Sequence, residues 1–147
     1  MSPIKILINL GLLCWSTILI GLRKGWVSRK DVIDYAVDLL VNGNEDEDVA
    51  IIAGGESLED DELFNLISNQ VKQSDNAAAL DKWRLAHLLN IAESDDDEQT
   101  KLDRLQEVYA NFDYPEDMAS CSIYSQDEID PLVAMTQVVE ELKSRLA

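Results

Sequence analysis

The stretch "SRKDVIDYAVDLLVNG", Ser28 to Gly43, decides the fold class because it marks both ends of one helix. Ser28 stands where an N-cap hydroxyl accepts a first-turn amide, and Asp31 takes the capping-box position three residues on. Val32, Ile33, Tyr35, Ala36, Leu39 and Leu40 recur at helical spacing and gather on one side. Asp31, Asp34 and Asp38 gather on the other, and Gly43 is suited to a left-handed close. One helix therefore carries a buried stripe and an acidic stripe.

The same reading extends outward in both directions. Downstream, Asp46 to Ala53 predicts a short helix ended by Gly54-Gly55. Another helix begins near Ser57 or Leu58, with Leu63, Phe64, Leu66, Ile67 and Val71 on one wide face. In "AAALDKWRLAHLLNIAES" the apolar residues Leu80, Trp83, Leu85, Leu88, Leu89 and Ile91 spread around the helix, the pattern of a central helix touched on several sides. Leu102, Leu105, Val108, Tyr109 and Phe112 form the stripe of a further helix. Pro115 biases Tyr114 away from helix, so that element ends near Asn111 or Phe112. "FDYPEDMASCSIYSQDE" reads as irregular, and a last helix opens at Asp130-Pro131. No β-alternation is evident. The expected fold is all-α, a single compact helical domain of about five to seven helices over residues 1–147.

Upstream, "PIKILINLGLLCWSTILIG" is apolar enough to raise a membrane or secretory reading. Asn9, Ser16, Thr17 and two glycines interrupt it, no clear cleavage site follows, and everything after it reads as folded. A buried N-terminal helix is the expectation, in a chain placed in the cytoplasm.

Charge narrows the function. The chain has 29 acidic and 12 basic side chains, a formal net charge of −17. That disfavours nucleic-acid binding, which needs clustered Lys and Arg, and disfavours anionic lipid. It favours solubility and basic protein partners. The bias is densest in "NEDEDVAIIAGGESLEDDE", Asn44 to Glu62, where nine of nineteen residues are carboxylates and none is basic. Carboxylates at Glu59 to Glu62 also suit the positive end of a helix, so part of this charge has a local use.

Chemistry is sparse. EF-hand spacing fails from Asn44, Asp46 and Asp95, and no CxxC pair is present to hold zinc, so no metal or other cofactor is expected. His87 is the single histidine and reads as a packing residue. Cys14 reads as core, and Cys121, in the irregular stretch, as an incidental surface thiol. No GxxxxGK[ST], GxGxxG or GxSxG motif occurs, so an enzyme is not expected.

Three segments, Gly21 to Gly43, "DKWRLAHLLNI" and "LQEVYANFDYPEDMASCSIY", together resemble the markers of a small bacterial family of all-helical proteins. That family is similar to immunity proteins of contact-dependent growth-inhibition and polymorphic-toxin systems. The resemblance implies a cytoplasmic antidote that binds the C-terminal domain of a cognate toxin. Many such toxins are nucleases with basic surfaces, which an acidic antidote complements. The segment before Gly21 departs from this pattern by being more apolar. The candidate partner contacts are Glu45, Asp46, Glu47, Asp48, Glu59, Asp60, Asp61 and Glu62, with Tyr114, Glu116, Asp117 and Tyr124 as a second group mixing aromatics and charge. Asp95, Asp96, Asp97 and Glu98 compete with the first group. The alternative is an acidic protein-binding or regulatory module with no toxin partner.

Overall fold

Gly11 divides the apolar N-terminal run. The computed structural model describes residues 2–71, 76–125 and 128–146, and in it Pro3–Leu10 (α1) stops where Gly11 adopts φ 71°. The Gly11 and Leu12 amides bond back to Ile8 and Leu7, as in a glycine-closed helix end. Trp15–Lys24 (α2) then starts afresh. The run expected to form one helix thus forms two short ones, and among the described residues no helix is long and apolar enough to cross a membrane.

Ser28 and Asp31 make the predicted reciprocal capping box at the start of Arg29–Val41 (α3). Asp46 caps Glu47–Ala53 (α4), and Gly54 ends it. A 3₁₀ turn, Gly55–Ser57, delays the next helix to Asp60–Gln70 (α5), so Glu59 is its N-cap residue and Asp60, Asp61 and Glu62 fill its first turn. Asn76–Ala92 (α6), Glu98–Asn111 (α7) and Pro131–Leu146 (α8) complete the set, with a 3₁₀ segment at Glu116–Cys121 inside the stretch read as irregular. Gln126 and Asp127 of that stretch lie outside the described residues. The described residues hold eight α-helices and no strand, so the fold is all-α. The split at Gly11 lifts the count above the expected range.

The contacts gather the chain into two compact units, Leu13–Ala79 and Met1–Leu12 with Leu80–Ala147. In the first, α3 packs on α4, α4 on α5 and α2 on α5. Ile18, Val32, Ala36, Val49, Ile52, Leu63 and Ile67 are its buried residues at helical spacing. In the second, α8 and α7 both pack on the 3₁₀ segment and on each other. α6 is buried around most of its girth there, through Trp83, Leu85, Ala86, Leu88, Leu89 and Ile91, as its all-round apolar pattern predicts. Trp83 is fully buried, so replacing it with Ala would cost about 3–5 kcal/mol and act on folding.

Candidate functional site

The acidic segment Asn44–Glu62 belongs to the first unit, and its course is pinned at both ends. The Asn44 side-chain oxygen accepts from the Asp46 amide at 2.8 Å, and Asp46 accepts from the Asp48 amide at 2.8 Å, which sets the start of α4. Arg29, the first residue of α3, reaches across to the far end. Its guanidinium donates to the carbonyls of Gly55 (3.0 Å) and Leu58 (2.6 Å) and to the Asp60 carboxylate (2.5 Å). One cation thereby orders the 3₁₀ turn and the entry to α5. Gly54 and Gly55 serve that turn, as expected.

The carboxylates themselves face water. Glu45, Asp46, Glu47, Glu56, Glu59, Asp60, Asp61 and Glu62 are exposed, and Asp48 is half-buried. Among the described residues Asp60 alone of the nine forms an ion pair, with Arg29. α3 leaves Val37 and Val41 exposed and α4 leaves Ile51 exposed, so this unit presents apolar side chains as well as charge.

At the carboxyl ends of α3 and α5 lies a cleft of about 410 Å³ lined by Trp15, Tyr35, Leu39, Asn44, Gln70 and Val71, with Cys14 and Ser16 at one side. Trp15 and Tyr35 meet edge to face, their centroids 4.9 Å apart. The Cys14 sulfur lies 3.2 Å from the hydroxyls of both Ser16 and Thr17, so this thiol sits half-buried at the head of α2 and not in the core. Burial, then the neighbouring Cys14, raises the Tyr35 pKa. Gln70 also donates to Asp46 at 3.4 Å, which ties the cleft wall to the acidic segment.

The competing cluster, in the second unit, has local uses for its charge. Asp97 caps α7 by accepting from the Thr100 amide at 2.8 Å, and that bond holds its carboxyl below the usual range. Asp96 pairs with Arg104 at 2.8 Å. Asp95 and Glu98 are exposed.

The loop after α7 combines strain with exposed aromatics. α7 ends at Asn111, as Pro115 foretells, but Tyr114 does not adopt the extended conformation that a following proline favours. Asp113 and Tyr114 hold φ values of 60° and 54°, a left-handed pair with no glycine. The Tyr114 amide closes this turn on the Tyr109 carbonyl at 2.9 Å, and the two rings meet edge to face at 5.1 Å. Tyr114 is still 65% exposed and Tyr124 87% exposed, with Glu116 and Ile123 also open to solvent. Gln106 fixes the end of the loop, donating to the Cys121 carbonyl at 2.8 Å and accepting from the Ile123 amide at 3.2 Å.

Asp117 is exposed as well, but its carboxylate is already engaged. It pairs with Arg84, which is only 4% exposed and also binds Asp81 at 3.1 Å; Asp81 in turn pairs with Arg145 at 2.9 Å. Burial works against the charge on Arg84, but the bonds to Asp117 and Asp81 outweigh it and raise its pKa. Cys121 is buried as well, against the expectation of a surface thiol, and desolvation pushes it up to about 11. It is a poor nucleophile at neutral pH. His87 packs between Trp83 and Phe112, and burial, helped by Arg104, lowers its pKa to about 4. Among the described residues no group of three or more His, Cys, Asp or Glu side chains could hold a metal ion.

Of the residues singled out in the sequence, the structure brings Glu45 to Asp48 and Glu59 to Glu62 into one unit, and places Tyr114, Glu116 and Asp117 in the other. Arg29, Gln70, Gln106 and Arg84 were not singled out for the roles they play. A family model described as "Uncharacterized protein conserved in bacteria (DUF2247)" matches residues 4–147, and the chain belongs to that bacterial family. No curated protein matches the chain. No solved structure matches it.

Proposed function

We propose that this member of the bacterial family is a binding protein that captures a basic protein partner, and that the partner is the toxic C-terminal domain of a cognate toxin. On this reading it is a cytoplasmic antidote that catalyses nothing. The observation that carries the proposal is the state of the Asn44–Glu62 carboxylates. Eight of the nine are exposed, and among the described residues Arg29 is the one cation paired with them. Capping accounts for Asp46, and helix-end electrostatics favour the first turn of α5. The same electrostatics favour Glu47 in the first turn of α4, but Glu45 and Glu56 have no such use in an α-helix, and they stand on a segment that Arg29 holds in one course. Ordered like charges cost stability through mutual repulsion, and a basic partner relieves it. The resemblance to immunity proteins supplies the identity of that partner.

Two experiments test the reading. The C-terminal domain encoded by the adjacent upstream gene is expressed alone and together with this protein; restored growth on co-expression is expected. Failure to rescue, combined with no basic protein recovered on the immobilised chain, defeats the antidote and leaves a general acidic interaction module. Stopped-flow capture of the domain is then measured against salt. Steering by exposed charge should make the association rate fall by roughly one to three decades as salt rises, with the dissociation rate nearly constant. A salt-insensitive rate would remove the acidic segment from the interface.

A further inference from the structure

We propose that the cleft between Trp15, Tyr35, Asn44 and Gln70 is a receptor for one arginine side chain of the partner. The inference rests on the reading of a basic protein partner and deepens it by naming the group that is gripped. The volume, about 410 Å³, falls within the roughly 300–1,000 Å³ typical of small-ligand sites. The lining has the two parts that a guanidinium needs. Trp15 and Tyr35 supply aromatic surface for the flat cation, and Leu39 and Val71 supply apolar wall for its methylene stem. Asn44 and Gln70 bring side-chain amides to the lining; the Asn44 oxygen already accepts from the Asp46 amide and keeps one lone pair, and Gln70, whose nitrogen donates to Asp46, keeps its oxygen as an acceptor.

The electrostatics select the sign of the ligand. The cleft lies where α3 and α5 end, and neither helix has a basic residue in its last turn; the α3 carbonyls of Asp38, Leu39 and Leu40 are capped by Asn42, Gly43 and Asn44, so the less capped negative end is that of α5. Asp46 stands one side chain behind the wall, accepting from Gln70 and tied through its amide to Asn44. The head of α2, which has no side-chain cap, opposes a cation, but it is one positive end against the α5 end and a full carboxylate. Arginine fits better than lysine because the aromatic pair and separated amide acceptors suit a planar, forked donor.

The test needs no toxin. The intact ¹⁵N-labelled protein is titrated with acetyl-Gly-Arg-Gly-amide, and with the same peptide carrying citrulline, which keeps the shape and removes the charge. Amide and indole resonances report on Trp15, Asn44 and Gln70. The expected result is a saturable shift confined to these residues, about tenfold weaker for citrulline. D46N, which retains a capping side chain, should weaken arginine binding about threefold without unfolding α4. Trp15→Ala should abolish the shifts at Asn44 and Gln70; if that variant misfolds, Gln70→Ala gives the second reading, with an expected weakening of about threefold. Equal response to citrulline, no response of the cleft with millimolar peptide, or shifts spread evenly over Glu45 to Glu62 with the Trp15 indole unmoved would each overturn the proposal. A silent cleft beside salt-dependent toxin capture sinks this inference alone, whereas a responsive cleft with no toxin rescue leaves it standing and removes the antidote reading.

Discussion

Lowering the pH should destabilise this protein through one identifiable side chain. His87 is the single histidine of the chain. Packed against Trp83 and Phe112, it is held neutral down to about 4, against an ordinary value of 6.5, because burial and then Arg104 disfavour the imidazolium. The unfolded chain takes up the proton near 6.5, and the folded one resists until about 4. Between those values the unfolded state binds more protons, so stability rises with pH through the window and levels off above it. At about 1.36 kcal/mol per pKa unit, the linked loss is about 2 kcal/mol at pH 5 and about 3 kcal/mol below pH 4. The measurement is urea unfolding of the wild type and of His87→Leu at pH 8, 6.5, 5 and 4. Carboxylate titration is common to both proteins, so the difference between the two profiles isolates the histidine. The imidazole resonance of the folded wild type gives an independent reading, with no second histidine to confuse it. Parallel stability profiles, or an imidazole midpoint near 6.5 in the folded protein, would falsify the assignment of His87 as a desolvated packing residue.

Two further substitutions test the polar ties within each unit. Asp117→Ala leaves the Arg84 guanidinium buried with Asp81 as its remaining carboxylate partner, so it should cost about 3 kcal/mol in denaturant unfolding, whereas Glu116→Gln next to it should change stability by less than about 0.5 kcal/mol. Arg29→Met removes the three bonds that order Gly55 to Asp60 and should lower stability by about 1–3 kcal/mol while speeding amide exchange in the turn between α4 and α5; unchanged exchange there would show that the segment keeps its course without the arginine.

What the sequence determined by itself is local and periodic. The Ser28–Asp31 box, the short helix beginning near Asp46, the Gly54 stop and the end of α7 before Pro115 each depend on residues within a few positions of one another. The central place of α6 follows from apolar side chains on all its faces, and all of these were legible. The tertiary structure decided what depends on partners distant in sequence. Arg29 meets carbonyls 26 and 29 residues away, Arg84 meets Asp117 33 residues away, and no pattern of spacing announces either. Asp117 read as a candidate partner contact and Cys121 as a thiol in an irregular stretch, because composition around them is all that a linear reading offers. The aromatic cleft was out of reach for the same reason: Trp15, Tyr35, Asn44 and Gln70 come from separate helices and turns, and only packing of an amphipathic set of helices brings them together. Side-chain spacing selects which face of each helix is buried, but the mutual docking of those faces decides which polar groups find each other.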